Sequence, residues 1–352
     1  MISVGILFGG PSGEHEASIH TAGTVWTGLT ELNLTELNME LAGIYMTPDR
    51  RLYYFDESFV SPTTFEHAIL DRANMIEVSI NLSFRQMSLA PIEQPEFLTH
   101  TIDVLFPLIL GTVGEDGSIQ GLCRVFEIPC AGPTVLGGAL GLDKALTKDV
   151  LRSHGILTCS HIIVGTEYDL ANIVRRLGHG PYVVKPRAEG SSLGVSYAEN
   201  LQQLPRGIVA ALEYGDQCIV EEYVEGIEIH CYAFKTKTDT LVSRVSGTKS
   251  PEKIYSHEQK MRSPLSVKRF VASDFSEQTN MRVREITEKC YHLLAGKGLA
   301  RLDYFLTNDG RLLFNELNSI PTGLGPVTGA NPWIDYGLTR ADIIRKLIED
   351  VI

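Results

Sequence analysis

The chain lacks the features that mark several large classes of protein. It has no run of eighteen or more apolar residues, and its first residues, Met1–Phe8, lack the basic segment and cleavage site of a secretory signal. It also has no basic run, and its formal net charge is -12, which disfavours nucleic acid or an anionic membrane as a partner. We therefore expect a cytoplasmic protein without a membrane or nucleic-acid partner.

Cysteine is sparse, and its spacing excludes the common metal-finger patterns. The 6 cysteines are scattered without a CxxC pair, which is typical of buried thiols in a reducing compartment. By contrast, 43% of the 352 residues are hydrophobic, so the chain can bury a substantial core. At this length two or three packed units are expected.

Short apolar strands alternate with amphipathic helical segments along the whole chain, which predicts an α/β or α+β fold. Strand Ser3–Phe8 and the glycine-bounded apolar run Asp103–Leu110 indicate a first unit with a parallel sheet, over residues 1–132. A second, smaller unit is expected over residues 133–222, and a third over residues 223–352.

Element positions follow from the same periodicities. A helix is predicted from about residue 140 to 155, with strands at 160–164, 182–184 and 217–220. The third unit is predicted to contain a helix at about 277–296, a strand pair at 300–317 and a closing helix after residue 339.

The strand pair is predicted to form a β-hairpin. Asp309-Gly310 lies between two alternating segments and matches a two-residue turn, in which Asn308 would face Arg311. Counting back from this turn places the more distant positions in register, so the turn predicts which side chains share a face.

In that register, Asp303 lies opposite Glu316 and Arg301 opposite Asn318, with all four side chains on one face. Such a face could be a solvated polar surface. Because Mg²⁺ prefers oxygen ligands supplemented by nucleotide phosphates, we instead interpret Asp303, Glu316 and Asn318 as candidate metal ligands.

A second candidate site is the segment EGSSLG at residues 189–194, which follows a strand ending near Lys185. Its glycines and serines, including Ser192, leave backbone N–H groups accessible, as in an anion-binding nest. An ordinary flexible turn is the alternative, because neither GxxxxGK[ST] nor GxGxxG is present. Together with Lys144 and Lys185, the loop is a candidate phosphate site.

The segment 217–228 has two interpretations. It could be an edge strand with charged outward positions, or a hinge that holds a purine between backbone groups and a carboxylate. Spacing alone does not decide between them.

Five motifs occur in one order that resembles the D-alanine-D-alanine ligase family over nearly the whole chain. They are LFGGPSGEHEAS at 7–18, GEDGSIQG at 114–121, LDK at 142–144, VKP with EGSSLG at 184–194, and RLD with NELN at 301–318. No single motif is decisive, but five in order are specific. The resemblance implies a three-domain ATP-grasp fold with an N-terminal parallel-sheet domain.

The resemblance also implies ATP bound between the second and third units with two Mg²⁺ ions, for which Mn²⁺ could substitute. Small-molecule amino-acid substrates and a homodimer are further implications. Lys144, Lys185 and Ser192 would then contact the phosphates. Adenine and ribose would be held by four residues: Glu221, Tyr223, Val224 and Glu228.

Catalytic roles follow from the same resemblance. Glu14 would bind the ammonium group of the donor amino acid, and Ser191 would orient it. Lys260 matches a family lysine on a mobile loop that closes over the γ-phosphate. After an acyl phosphate forms, Arg301 would stabilise the oxyanion produced by attack of the acceptor amine.

Three departures from the family pattern fall where substrate is expected. Leu110 occupies the position of a family histidine, and Met261 that of a tyrosine after the loop lysine. The segment after Asn318 is also rebuilt, over residues 319–333. These changes favour a ligase with an altered acceptor pocket.

Three alternatives remain open. The chain could be a housekeeping D-alanine-D-alanine ligase of peptidoglycan precursor synthesis. His257 in the mobile loop is compatible with a D-alanyl-D-lactate type of ligase, although it could be an ordinary loop side chain. A non-catalytic nucleotide-binding homologue is disfavoured, because the metal ligands, phosphate lysines and Arg301 are all present.

Overall fold

The computed structural model describes residues 1–32, 34, 37–56, 65, 75–94, 96–97, 100–254, 268–294, 296–322 and 331–352. Its helices are α1 (His15–Thr30), α2 (Ser118–Val125), α3 (Val135–Leu142), α4 (Lys144–Ser153), α5 (Leu170–Leu177), α6 (Leu204–Leu212), α7 (Glu277–Leu293) and α8 (Arg340–Glu349). Together with three sheets, they confirm the predicted mixture of helices and strands.

The strands follow the order of the sequence in three groups. The first group is β1 (Ile2–Gly9), β2 (Met39–Met46), β3 (Leu52–Asp56), β4 (Ile76–Ser83), β5 (Gln86–Pro91), β6 (His100–Ile102) and β7 (Val104–Pro107). The second is β8 (His161–Val164), β9 (Tyr182–Pro186), β10 (Ser196–Ala198) and β11 (Cys218–Glu222). The third is β12 (Gly226–Lys235), β13 (Thr240–Val242), β14 (Ser246–Lys249), β15 (Lys268–Phe270), β16 (Leu299–Thr307) and β17 (Leu312–Asn318).

The first sheet has the order β6-β5-β4-β3-β2-β1-β7. Strand β1 is parallel to β2 and β7, and the remaining pairs are antiparallel. The predicted parallel strands are therefore the end of a longer mixed sheet. Both predicted runs form strands that are buried almost throughout, as expected for parallel strands covered on both faces.

The second sheet is antiparallel, with the order β10-β9-β11-β8. It has a core of its own, in which Ile173 and Ile208 from α5 and α6 pack with Tyr182, Val184 and Val220. This separate core makes the second sheet a distinct packing unit. The unit boundaries at residues 132 and 222 stay a prediction.

The third sheet is also antiparallel, with the path β15-β14-β12-β16-β17 and β13 beside β12. One face packs with α4 and α7. The first and third units share a further core, in which Ile343 and Ile344 of α8 pack with Trp26 of α1 and Val4 of β1. The first and third sheets therefore have continuous packing.

The prediction of one helix from about residue 140 to 155 is wrong in one respect, because the structure has two helices there, α3 and α4. Asp143 lies between α3 and α4 with an extended ψ of 97°, and its side chain accepts hydrogen bonds from the N–H groups of Ala145 and Leu146. An N-cap of this kind starts a new helix. Lys144 is consequently the first residue of α4.

The predicted two-residue turn in the last hairpin is also wrong, although the pairing inferred from it is right. Thr307 N–H donates to the Arg311 carbonyl, so the loop has three residues, with Gly310 at φ 81°. A β-bulge then adds Asn315 to β17, between the pairs Tyr304–Phe314 and Asp303–Glu316.

The longer loop and the bulge shift the register by one residue each, in opposite directions. Asp303 therefore lies opposite Glu316, and Arg301 opposite Asn318, as predicted. Among the described residues, no helix combines the length and apolar character needed to span a bilayer.

Candidate active site

A cavity of about 670 Å³ lies between the second and third sheets. Its walls come from β9, β11 and the loop after β9 on one side, and from β12, β16 and β17 on the other. All seven residues predicted to contact nucleotide line it: Lys144, Lys185, Ser192, Glu221, Tyr223, Val224 and Glu228. The structure thus groups residues that are far apart in sequence, while their individual roles stay predictions.

Three carboxylates meet on the third sheet. Glu228 of β12, Asp303 of β16 and Glu316 of β17 each offer an oxygen, and these atoms lie within 4.8 Å of one another. The strands bring them together because β16 pairs with both neighbours on the same sheet. Sequence reasoning assigned Glu228 to adenine and ribose, and in the structure it also lies beside two of the three predicted metal ligands, Asp303 and Glu316.

Asp303 is 2% exposed and is held by its neighbours. Arg301 donates to both carboxylate oxygens of Asp303, from Nε at 2.8 Å and from Nη2 at 2.7 Å. Asn318 donates from Nδ2 to Asp303 at 3.3 Å, which directs its carboxamide oxygen elsewhere. Burial opposes the charge on Arg301, but the pairing with Asp303 outweighs it and raises the arginine pKa.

This donor set fits a hard divalent cation. Carboxylate oxygens from three strands, with a carboxamide next to them, are ligands of the type that Mg²⁺ and Mn²⁺ take beside nucleotide phosphates. Arg301 fixes the orientation of one of these carboxylates.

Two buried lysines face the same cavity. Lys144 donates from Nζ to the carbonyl of Glu189, and burial lowers its pKa. Lys185 pairs with Glu221 at 2.7 Å and donates to Asn315 Oδ1 at 3.0 Å. Burial would lower the pKa of Lys185, but the carboxylates of Glu221 and Glu316 outweigh it and raise the pKa. The cavity therefore presents cationic groups opposite its acidic cluster.

The EGSSLG loop has an unusual backbone. Ser191 and Ser192 have φ values of 49° and 59°, so two consecutive residues other than glycine adopt the left-handed region. Such conformations cost energy and cluster at functional sites. The conformation supports the interpretation as a built anion-binding loop over an ordinary flexible turn.

The same loop contacts the first motif of the chain. The Ser191 hydroxyl donates to Glu14 Oε1, and Glu14 is 8% exposed at the start of α1. A Cβ added to Gly190 would lie 2.1 Å from Glu14 Oε2. The first and fourth motifs thus form one compact polar site.

Sequence reasoning missed Glu115, although it lies in the GEDG motif. Its carboxylate accepts hydrogen bonds from Gly111 N–H at 2.9 Å, Ser319 Oγ at 3.1 Å and Ile320 N–H at 3.0 Å. Burial, and then the nearby carboxylate of Glu14, raise its pKa to about 7. Glu115 therefore ties the first unit to the end of β17.

Two further residues were missed, Lys148 and Asn315. Lys148 follows Lys144 by four residues on one helix, a spacing that places both side chains on one face and could have identified it. Asn315 directly precedes Glu316, but its side chain accepts a hydrogen bond from Lys185 at a position that depends on the bulge.

Four of the predictions made from the sequence fall, wholly or in part, outside the described residues. They concern Lys260, Met261 and His257, and the part of the rebuilt segment 319–333 that spans residues 323–330. The role of Lys260 stays a prediction.

Comparison with known proteins agrees with this architecture. The family description "D-ala D-ala ligase N-terminus" matches residues 3–133, and "D-ala D-ala ligase C-terminus" matches residues 156–349. D-alanine--D-alanine ligase A from Salmonella typhimurium is 30% identical over 354 aligned positions, covering 99% of this chain and 95% of the relative. A D-alanine--D-alanine ligase from Shouchella clausii is 29% identical, covering 98% and 93%.

Solved structures show the same fold. The D-Ala:D-Ser ligase from Enterococcus faecalis superposes with a TM-score of 0.84 at 23% identity, covering 100% of this chain and 99% of that one. The D-alanine-D-alanine ligase from Coxiella burnetii has a TM-score of 0.80 at 23% identity, covering 100% and 95%. The predicted ATP-grasp fold is thus confirmed, and the chain belongs to the D-alanine-D-alanine ligase family, whose members are ATP-dependent carbon–nitrogen ligases that use a divalent metal.

Proposed function

We propose that the protein uses ATP to convert the carboxylate of a D-amino acid into an acyl phosphate and joins the acyl group to an acceptor amine. The hydrogen bond between Ser191 and Glu14 carries the proposal, because it places a buried carboxylate beside the phosphate loop. An anionic oxygen at that position suits the ammonium group of an amino acid.

The chemistry of the neighbouring groups supports this order of steps. A carboxylate is a poor electrophile, so its oxygen first attacks the γ-phosphate of ATP, and ADP leaves. Lys144 and Lys185 supply positive charge for the phosphates. Two Mg²⁺ ions, when bound to Asp303, Glu316, Asn318 and Glu228, would neutralise further phosphate charge.

The second step is attack of the acceptor amine on the acyl carbon, with loss of phosphate. Arg301 would stabilise the oxyanion, since its cationic guanidinium is fixed in position by Asp303. Lys260, by family resemblance, would cover the γ-phosphate and exclude water.

For the acceptor, we propose a group other than a second D-alanine. Leu110 stands at the position of the family histidine, is 1% exposed and packs in the core shared by the first and third units. Its carbonyl accepts a hydrogen bond from Ser12 at 2.6 Å. An apolar side chain cannot supply the hydrogen bonds of an imidazole to an acceptor.

A housekeeping D-alanine-D-alanine ligase acting in peptidoglycan precursor synthesis is the second candidate. It is favoured by the names of the relatives in Salmonella typhimurium and Shouchella clausii, which match nearly the whole chain. In this case the rebuilt segment after Asn318 would still bind a second D-alanine.

The test is ADP release by the purified protein with Mg-ATP across D- and L-amino acids, singly and in pairs, with product masses measured in parallel. Turnover that requires a donor and a different acceptor supports the proposal. Dipeptide formation from D-alanine alone supports the second candidate. Absence of ADP release with every amino acid would contradict both.

A matched pair of variants tests the donor site. Ser191→Ala should raise the donor KM, because it removes the hydroxyl that orients Glu14, whereas Ser153→Ala on the exposed end of α4 should not. Equal effects of the two substitutions would contradict the donor assignment.

We also propose a cytoplasmic homodimer, for which sedimentation velocity is the test of assembly.

A further inference from the structure

Lys148 is a fully buried lysine that the steps above do not use. It lies on α4, is 0% exposed, and places its Nζ 2.7 Å from Glu221 Oε1. A buried ammonium group is costly unless it is paired. Glu221 is the partner that offsets this cost, so the question is what the buried ion pair does for the site.

Glu221 lies between two lysines. Its second oxygen, Oε2, is 2.7 Å from Nζ of Lys185. Burial would raise the pKa of Glu221, but Lys148 and Lys185 outweigh it and lower the pKa to about 2. The carboxylate is therefore ionised, and one negative charge is shared by two positive charges.

The two lysines differ in what they face. Lys185 and Glu221 line the cavity between the second and third sheets, whereas Lys148 is not among its described lining residues. Lys148 approaches Glu221 from α4, a helix that packs against β17 and β8 and contributes no residue to the core of the second sheet. The positive charge of Lys148 is thus placed behind the wall of the cavity.

The bulge residue Asn315 fixes both lysines. Its backbone carbonyl accepts from Lys148 Nζ at 2.5 Å, and its side-chain Oδ1 accepts from Lys185 Nζ at 3.0 Å. Asn315 precedes Glu316 of the acidic cluster. The network of Lys148, Glu221, Lys185 and Asn315 therefore connects the second sheet to β17.

We propose that Lys148 is a positioning residue that neutralises Glu221 from behind, so that Glu221 does not cancel the positive charge that Lys185 offers to an anionic nucleotide phosphate in the cavity. Two ammonium groups and one carboxylate have a net charge of +1; without Lys148, Lys185 and Glu221 would cancel. The inference rests on nucleotide binding in this cavity, as in the proposed function.

The experiment is a double-mutant cycle of Lys148→Met, Glu221→Gln and the two combined. The readout is the Kd of Mg-AMP-PNP by calorimetry without any amino acid, so that an error in the proposed donor or acceptor leaves it unaffected. Lys148→Met should weaken binding by about tenfold or more, because removing a neighbouring charge has effects of that size. The same substitution at exposed Lys289 is the matched control and should change Kd less than about twofold.

The cycle separates charge compensation from a structural role. In the Glu221→Gln background the fully buried Lys148 has lost its carboxylate partner, so it should favour its neutral form and no longer add positive charge. Adding Lys148→Met should therefore change Kd by less than about threefold. A merely structural role predicts the same loss in both backgrounds. Equal losses, or an unchanged Kd in a folded Lys148→Met protein, would overturn the proposal.

The double variant keeps the test decisive if Lys148→Met alone fails to fold, because it buries no unmatched carboxylate. Its Kd should then stay within about threefold of that of Glu221→Gln. A further loss of about tenfold or more would overturn the proposal. The ATP KM and kcat provide a second readout, in which KM should rise while kcat at saturating ATP changes little.

Discussion

Glu115 allows the electrostatics of the candidate site to be measured directly. Its pKa is raised from 4.5 to about 7, first by burial and then by the carboxylate of Glu14. In the unfolded chain the pKa returns to its ordinary value. Between pH 4.5 and 7 the folded state therefore binds more protons than the unfolded state, and the free energy of unfolding falls as the pH rises.

The size of the effect follows from the two pKa values. Their difference, about 7 minus 4.5, corresponds to at most about 3.4 kcal/mol. Integrated from pH 5 to pH 8, it gives about 2.5 kcal/mol as an upper value. Water reaches part of the Glu115 side chain, so we expect about 1 to 2.5 kcal/mol.

Glu115→Gln removes this titration. The substitution also disturbs the hydrogen bonds from Gly111, Ser319 and Ile320, but that cost does not depend on the titration. The difference in free energy of unfolding between the variant and the unsubstituted protein should therefore move in favour of the variant by about 1 to 2.5 kcal/mol from pH 5 to pH 8.

The assay is urea denaturation at pH 5, 6, 7 and 8, followed by the fluorescence of the buried residues Trp26 and Trp333. Glu213→Gln is the control, because Glu213 is exposed at the end of α6. A difference that stays constant over this range, or moves against the Glu115 variant, would refute the reasoning.

Three further predictions concern the metal and donor sites. Asp303→Asn should lower kcat by about a hundredfold or more and destabilise the protein by about 3 kcal/mol, because Arg301 loses its buried partner; ADP release and urea denaturation measure the two effects. Gly190→Ala should raise the donor KM by about tenfold or more with little change in urea midpoint, since the new Cβ displaces only the flexible end of Glu14; a large loss of stability would contradict this. Chelation by EDTA should abolish ADP release, and added Mg²⁺ should restore it, because the carboxylate cluster needs a cation to bind phosphates; turnover that persists in EDTA would contradict the metal assignment.

Much of the architecture was predictable because the signals are local. The continuous apolar run at Ser3–Phe8 gives a buried parallel strand, and alternation around residues 299–318 gives a hairpin. The family resemblance assigned Lys144, Lys185 and Glu221 to one nucleotide site, and all three line one cavity. These inferences needed strand periodicity and family resemblance only.

The errors arose where backbone detail or tertiary packing decides. The turn at Asp309-Gly310 favoured a two-residue loop, and no sequence rule indicated the compensating bulge at Asn315. The roles of Lys148 and Glu115 depend on partners 73 and 205 positions away, Glu221 and Ile320. The N-cap Asp143, in contrast, was a local signal that the apolar periodicity obscured.

The bulge at Asn315 separates the tip of the last hairpin from the pairing that aligns Asp303 with Glu316. Residues 304–314 form the end of the hairpin, with an exposed loop at 308–310. The bulge lies between this end and the pair Asp303–Glu316. Length changes at the tip can therefore be absorbed without moving the carboxylates. For protein engineering, this makes the loop at 308–310 a suitable insertion point for a tag or reporter. Deletion of Asn315, in contrast, would remove the backbone and side-chain oxygens that accept hydrogen bonds from Lys148 and Lys185.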